Sequence, residues 1–237
     1  AAGWYGRVVD GSLIGDEPFT GDERGDAQRF SVGSLLRDIN DNNIVVGNHD
    51  ISCLDLPNPL CFEKLKPVKW LPDDDGQWGD AIQMQQLGST DKSAAMRISN
   101  SDPPFAIGFS QGDDGQQHGV LWNVTTGQIQ ADFGPRSVTN AINSSGTMVV
   151  GSRITFGFPP PRTDFIWWTD DNWQTFKELD ADDVLAIAEG GEHISDITRL
   201  TGINDSGQVS AQALLRGEFG QFLDPTITKW RPEVALD

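Results

Sequence analysis

One pattern recurs four times along the chain: an aliphatic residue, Asn or Ser, a few small polar residues, then aliphatics closing on Gly or Ala. The copies are Ile39-Asn40-Asp41-Asn42-Asn43-Ile44-Val45-Val46-Gly47, residues 98–108, Ile142-Asn143-Ser144-Ser145-Gly146-Thr147-Met148-Val149-Val150-Gly151, and Ile203-Asn204-Asp205-Ser206-Gly207-Gln208-Val209-Ser210-Ala211. Each is followed by an aliphatic residue near a tryptophan, and Trp70, Trp122, Trp167 and Trp230 follow them in order. Self-similarity at a spacing of about 40 to 50 residues means one supersecondary unit repeated, and that length suits a four-stranded propeller blade. Such a unit cannot cover its own apolar face, so neighbouring copies must stack.

Within each copy the aliphatic-Asn pair ends a first strand, the polar residues turn, and a second strand runs to the small residue. Asn, Asp, Ser and Gly turn chains because Asx side chains bond nearby backbone and Gly or Asn accept positive φ. A third strand ends at each tryptophan, and a fourth is expected over residues 82–88, 129–134 and 176–179. Four short strands per repeat with period-two patterning predict an all-β fold, a β-propeller of about five blades, or alternatively four. Residues 1–237 are expected as one domain, with repeat units at 35–88, 92–134, 136–180 and 196–237. Residues 1–34, with a hairpin around Asp10-Gly11, form either a degenerate blade or strands that close the ring by pairing with the C-terminal strands. Residues 232–236 read as a shortened last strand, and 182–189 as a short helical insertion.

The chain carries 35 acidic against 17 basic residues, a formal net charge of -18. That balance excludes binding driven by neutralising phosphates, so neither nucleic acid nor an anionic membrane surface is an expected partner. No apolar run is long enough to span a bilayer as a helix. The start, Ala1-Ala2-Gly3, resembles what a signal peptidase leaves behind, which predicts a secreted, extracellular or periplasmic protein. The two cysteines, Cys53 and Cys61, flank a Pro-containing loop and are expected to form a stapling disulfide in an oxidising compartment.

The stretch His118-Gly119-Val120-Leu121-Trp122, read together with Ala141-Ile142-Asn143 and Val149-Val150-Gly151, resembles the extracellular repeat family named for its His-Ala-Phe tripeptide. The resemblance covers residues 35–237, although one copy alone keeps the His and none keeps the whole tripeptide. It implies a propeller-like secreted protein and brings no catalytic residues with it.

Gly108-Phe109-Ser110-Gln111-Gly112 matches the G-x-S-x-G elbow of serine hydrolases, with Asp164 and His193 following in the required order. The elbow needs a helix directly after the serine, and Asp113-Asp114-Gly115-Gln116-Gln117 has a loop composition instead. A hydrolase with Ser110 as nucleophile is thus the least favoured reading, and the chain is expected not to be an enzyme. Among the acidic turns, Asp73 and Asp75 with Asp80 are the candidate ligands for a Ca²⁺ ion, and no other cofactor is indicated. Trp78, Trp168 and Trp173 lie outside the repeated Trp position beside acidic loops, and with Asp170 and Asp171 they form a candidate carbohydrate-binding set. The leading expectation is a non-catalytic binding or structural module working with a protein partner or extracellular assembly, and the alternative is a lectin-like propeller.

Overall fold

A computed structural model describes residues 2–9, 12–21, 27–29, 34–50, 64–154, 162–181, 194–215 and 226–230. Every named element is a strand, and the strands form five antiparallel sheets in chain order. Sheet 1 holds β1 (Ala2–Val9), β2 (Ser12–Gly21) and β3 (Ala27–Arg29). Sheet 2 holds β4 (Ser34–Ile39), β5 (Val45–Asp50), β6 (Leu65–Trp70) and β7 (Ile82–Gln83). Sheet 3 runs β8 (Ser93–Ile98), β9 (Phe105–Gln111), β10 (Gln117–Asn123) and β11 (Gln128–Pro135). Sheet 4 runs β12 (Ser137–Ile142), β13 (Met148–Ile154), β14 (Arg162–Trp168) and β15 (Lys177–Asp180), and sheet 5 holds β16 (Ile194–Ile203), β17 (Val209–Leu215) and β18 (Thr226–Trp230). The all-β expectation is met. The expected fourth strand at 82–88 shrinks to two residues because the chain then leaves its sheet: Gln85 N–H donates to Gly127 O at 2.8 Å, across the gap to sheet 3. The expected helix at 182–189 and last strand at 232–236 lie outside the described residues.

The repeated Asn is the organiser of each first turn. Asn40 Oδ1 accepts the N–H groups of Asn42 and Ile44 at 3.1 and 2.9 Å, Asn143 Oδ1 those of Thr147 and Met148 at 2.9 Å each, and Asn204 Oδ1 those of Ser206 and Gln208 at 3.1 and 2.9 Å. Ser99 does the same for its longer turn, its Oγ accepting Phe105 N–H at 2.9 Å. An Asx side chain can close a turn this way because its carbonyl stands where a backbone acceptor would. The turns also tie one sheet to the next. Asp41 N–H donates to Asn100 Oδ1 at 2.9 Å, Asn100 N–H to Ser144 O at 2.9 Å, and Ser145 N–H to Asp205 Oδ1 at 2.7 Å.

The residue three before that Asn or Ser is skipped in the pairing of every first strand. Register shifts fall between Leu36 and Asp38, Ala95 and Arg97, Thr139 and Ala141, and Leu200 and Gly202, leaving Arg37, Met96, Asn140 and Thr201 as bulged residues. A bulge kinks its strand, and here it pushes the first strand onto the second. A Cβ built on Gly47, Gly108 or Gly151 would meet the carbonyl oxygen of Leu35, Ala94 or Val138 at 2.1, 1.9 and 2.1 Å. This is the physical reason for the small residue that ends each copy. Sheet 5 has Ala211 there, and its first strand carries two further register shifts.

First strands β1, β4, β8, β12 and β16 approach one another in series, so the sheets fan outward from them. The core therefore lies between sheets rather than within one central mass. Val46 and Met84 of sheet 2 pack on Ala95, Ala106, Val120 and Trp122 of sheet 3. Ile107, Leu121 and Phe133 of sheet 3 pack on Val149 and Trp167 of sheet 4, where Phe133 and Trp167 stack with centroids 4.5 Å apart. Val150 and Ile166 of sheet 4 meet Leu200, Val209 and Ala211 of sheet 5. Trp122 and Trp167 are fully buried, each turned toward a neighbouring sheet. Lys69 crosses the same kind of boundary: although buried, it donates from Nζ to the carbonyls of Val124 and Thr125, and burial pushes its ammonium below the usual lysine range.

Substituting Gly108→Val must separate β8 from β9, since the clashing atom is backbone. The variant is expected to lose about 3 kcal/mol or more of unfolding free energy, read from its urea midpoint. A loss under about 1 kcal/mol contradicts the close approach.

Candidate functional site

Most of the residues singled out in the sequence have structural employment. Ser110 is fully buried on β9; its Oγ lies 2.8 Å from Ser93 Oγ and accepts Leu87 N–H at 2.9 Å. A serine locked between two sheets and followed by more strand cannot act as an elbow nucleophile, so the hydrolase reading built on Ser110 is corrected. Its proposed partner Asp164 is buried and accepts Leu200 N–H at 3.1 Å, and His193 lies outside the described residues.

The aromatic and acidic set is not gathered on one exposed face. Trp173, expected at the surface, is buried beside Phe133 at a centroid distance of 5.8 Å, and its indole N–H donates to Gly146 O at 2.7 Å. Trp168 is half-buried against the apolar layer between sheets 4 and 5, and Trp78 is half-buried with its indole on Asn43 O at 2.7 Å, in a different loop. Asp171 turns back on its own loop, accepting Thr175 Oγ1 at 2.6 Å and Thr169 Oγ1 at 2.7 Å, and the Thr175 and Thr169 donors draw its carboxyl down to about 2. Asp170 is exposed at the start of that loop.

Asp73 is likewise engaged locally, its Oδ1 accepting Asp75 N–H at 3.0 Å and Gln77 N–H at 2.8 Å. Asp73, Asp75 and Asp80 are not brought together as a ligand set, and among the described residues no group of three or more His, Cys, Asp and Glu side chains could hold a metal ion. The Asp73 carboxylate instead serves its own turn. Cys53 and Cys61 fall outside the described residues. No helix among the described residues is long and apolar enough to cross a membrane.

His118 is held between two carboxylates. Its Nδ1 lies 2.9 Å from Asp132 Oδ1 and its Nε2 3.3 Å from Asp114 Oδ2. Burial works against the charged ring, but the hydrogen bonds and charges of Asp132 and Asp114 outweigh it and raise the pKa above the ordinary histidine value. With both nitrogens occupied, the ring is a clamp between strands β10 and β11 and the turn before β10.

A cleft of about 360 Å³ lies along the first strands, lined by Met96, Phe109, Gln117, Thr139, Asn140 and Arg199, with Gly108 and Val138. It follows directly from the bulges, because Met96 and Asn140 are the bulged residues of β8 and β12. Arg199 reaches Asn140 Oδ1 at 3.3 Å, and Asn140 Nδ2 in turn donates to Leu200 O at 2.9 Å, so the sheet 4 bulge positions an arginine of sheet 5. In sheet 2 the bulged residue is Arg37, which bonds Asn48 Oδ1 at 3.5 Å and has Arg97 of the next first strand as its charged neighbour. None of these residues stood out in the sequence. The available signal was their fixed offset before the turn Asn, but a bulge leaves no mark in hydrophobic alternation.

No protein-family model matches the chain, and no curated protein matches it. Among solved structures it is similar to that of a "putative 6-phosphogluconolactonase" from Bacteroides fragilis, at 11% identity and a TM-score of 0.23, over 98% of this chain and 95% of the other. That similarity, to a protein named for an enzyme, corrects the expectation of a non-enzyme, and the exclusion of catalysis is withdrawn. At such a TM-score it transfers no activity, substrate or residue role.

The His118 clamp has a defined pH signature. A raised folded-state pKa contributes stability that is complete below the unfolded value of about 6.5 and is lost as pH rises through the folded value. The excess stability of the native chain over His118→Asn is therefore larger at pH 6 than at pH 9 in urea denaturation. An equal difference at both contradicts the clamp.

Proposed function

We propose that the chain is an exported β-propeller that binds a ligand in its central channel, serving as a binding module at an extracellular surface or in an extracellular assembly. The five sheets are its blades, residues 1–237 form one body, and pairing between N-terminal and C-terminal strands closes the ring, which removes the exposed edges of an open array. Serial packing of the first strands and the belt of turns from Asp41 to Asp205 support that arrangement. Export is supported by the resemblance to the extracellular repeat family and by the spacing of Cys53 and Cys61, a pair suited to a disulfide.

The single observation that carries the binding reading is the cleft itself. It sits where three first strands meet, and polar side chains of Gln117, Thr139, Asn140 and Arg199 converge on it beside the apolar Met96 and Phe109. An apolar wall with a few placed polar groups is the usual composition of a small-molecule site. The loops that carry Trp173 and Asp171 are filled by their own side chains, so the recognition surface lies on the channel rather than the loop tips.

A thermal-shift screen of small molecules, followed by hydrogen exchange on each hit, tests the reading. A ligand that raises the melting temperature is expected to slow exchange in peptides covering 93–98, 137–142 and 194–203. Protection confined to the outer strands at 128–135 and 177–180 contradicts it.

A further inference from the structure

In a chain with twice as many acidic as basic residues, three arginines gather on or beside the first strands: Arg37, Arg97 and Arg199. Arg37 and Arg97 are like charges on adjacent first strands, and burial together with the Arg97 charge pushes the Arg37 guanidinium below its usual range. Like charges are held together at a cost unless an opposite charge joins them. Asp38 already meets the Arg97 charge, and the carboxylate oxygens beside these strands are bonded to backbone. Asp38 Oδ2 accepts Ile98 N–H at 3.1 Å and its Oδ1 accepts Ile39 N–H at 3.0 Å, while Asp164 Oδ2 accepts Leu200 N–H at 3.1 Å. Among the described residues, none of the three arginines is in an ion pair with a carboxylate within 4.0 Å.

A second observation is independent of charge. Asn48 Nδ2 and Ser152 Oγ are buried and have no hydrogen-bond partner, and their residues are 1% and 0% exposed. Both follow the small residue of strand two, in register with Leu35 and Val138, and so occupy the position held in sheet 3 by Phe109, a wall of the cleft. A buried donor without an acceptor costs about 1–3 kcal/mol, and native chains keep such groups where something else completes them. Unfilled donors on the second strands of sheets 2 and 4, and exposed guanidinium groups without a carboxylate partner on the first strands of sheets 2, 3 and 5, suit the same thing, an acceptor-rich anion.

From these observations we infer that the channel is an anion site, taking a small molecule that carries a carboxylate or phosphate group, held by Arg199 at the cleft, with Arg37 and Arg97 on the first strands of sheets 2 and 3 and the unfilled donors of Asn48 and Ser152 behind them. The inference rests on the channel-binding reading and names its ligand class. Arginine suits the task because its planar fork meets two oxygens of a carboxylate or phosphate at once. Asn140 fixes Arg199 from behind through its own bond to Leu200 O, so one donor arrives already oriented.

Isothermal titration of the full chain with inorganic phosphate, and separately with citrate, tests the assignment and distinguishes the two ligand sources. Saturable one-to-one binding of at least one anion is expected, weakened about tenfold or more by Arg199→Gln and by Arg37→Gln and unchanged by Lys92→Gln, an exposed residue just before β8. Because a variant can lose its fold, the arginine Nε–H resonances of the native chain give a second readout: those of Arg37 and Arg199 must shift as the anion is added. Failure of both anions to bind, or binding that neither arginine substitution alters and no arginine resonance reports, overturns the inference. If neutral molecules alone bind and protect the first strands, the anion assignment fails while the channel reading stands.

Discussion

A carbonyl pressed against a Cα that has no side chain is the contact from which the other features follow. In sheets 2, 3 and 4 the bulged first strand approaches the second so closely that only glycine fits at Gly47, Gly108 and Gly151. The bulge turns one residue per sheet out of the ladder, and those residues are the ones found at the cleft or beside its arginines. Structural constraint and candidate binding site are thus two consequences of one irregularity, repeated because the unit is repeated.

Packing between sheets provides the cohesion. A sheet gains stability by covering its apolar face, sheets 3 and 4 are covered on both faces, and burial of a tryptophan such as Trp122 or Trp167 is worth several kcal/mol. The turns add a polar seam. Asn40 and Asn143 close their own turns, and the residues beside them reach the next sheet, so hydrogen bonding and apolar contact run in the same direction along the chain. A repeat array of this type gains stability from nearest-neighbour interfaces.

The parts of this architecture legible in the sequence are those set by local chemistry. Asn40, Asn143 and Asn204 announce turns because an Asx carbonyl substitutes for a backbone acceptor, and the tryptophans mark third strands because a large apolar side chain must be covered. What alternation could not reveal depends on three-dimensional neighbours. Trp173 reads as a loop aromatic, yet positive φ at this residue and at Asn172 folds the loop so that its indole enters the layer between sheets. Asp73 and Asp171 read as free acids, but each is consumed by donors within four residues. Arg199 reads as an ordinary surface charge, and only the packing of first strands brings it to the cleft beside the bulged Met96 and Asn140.

The central claim is a closed ring of five sheets, and it is tested most directly by the distances between its turns. With Cys53 and Cys61 replaced by serine, nitroxide labels can be placed pairwise at positions 41, 145 and 205 and measured by double electron–electron resonance. In a closed ring of five, sheets 2 and 4 and sheets 2 and 5 are both second neighbours, so the 41–145 and 41–205 distances come out nearly equal. A 41–205 distance clearly longer than 41–145 means an open arc and contradicts the account.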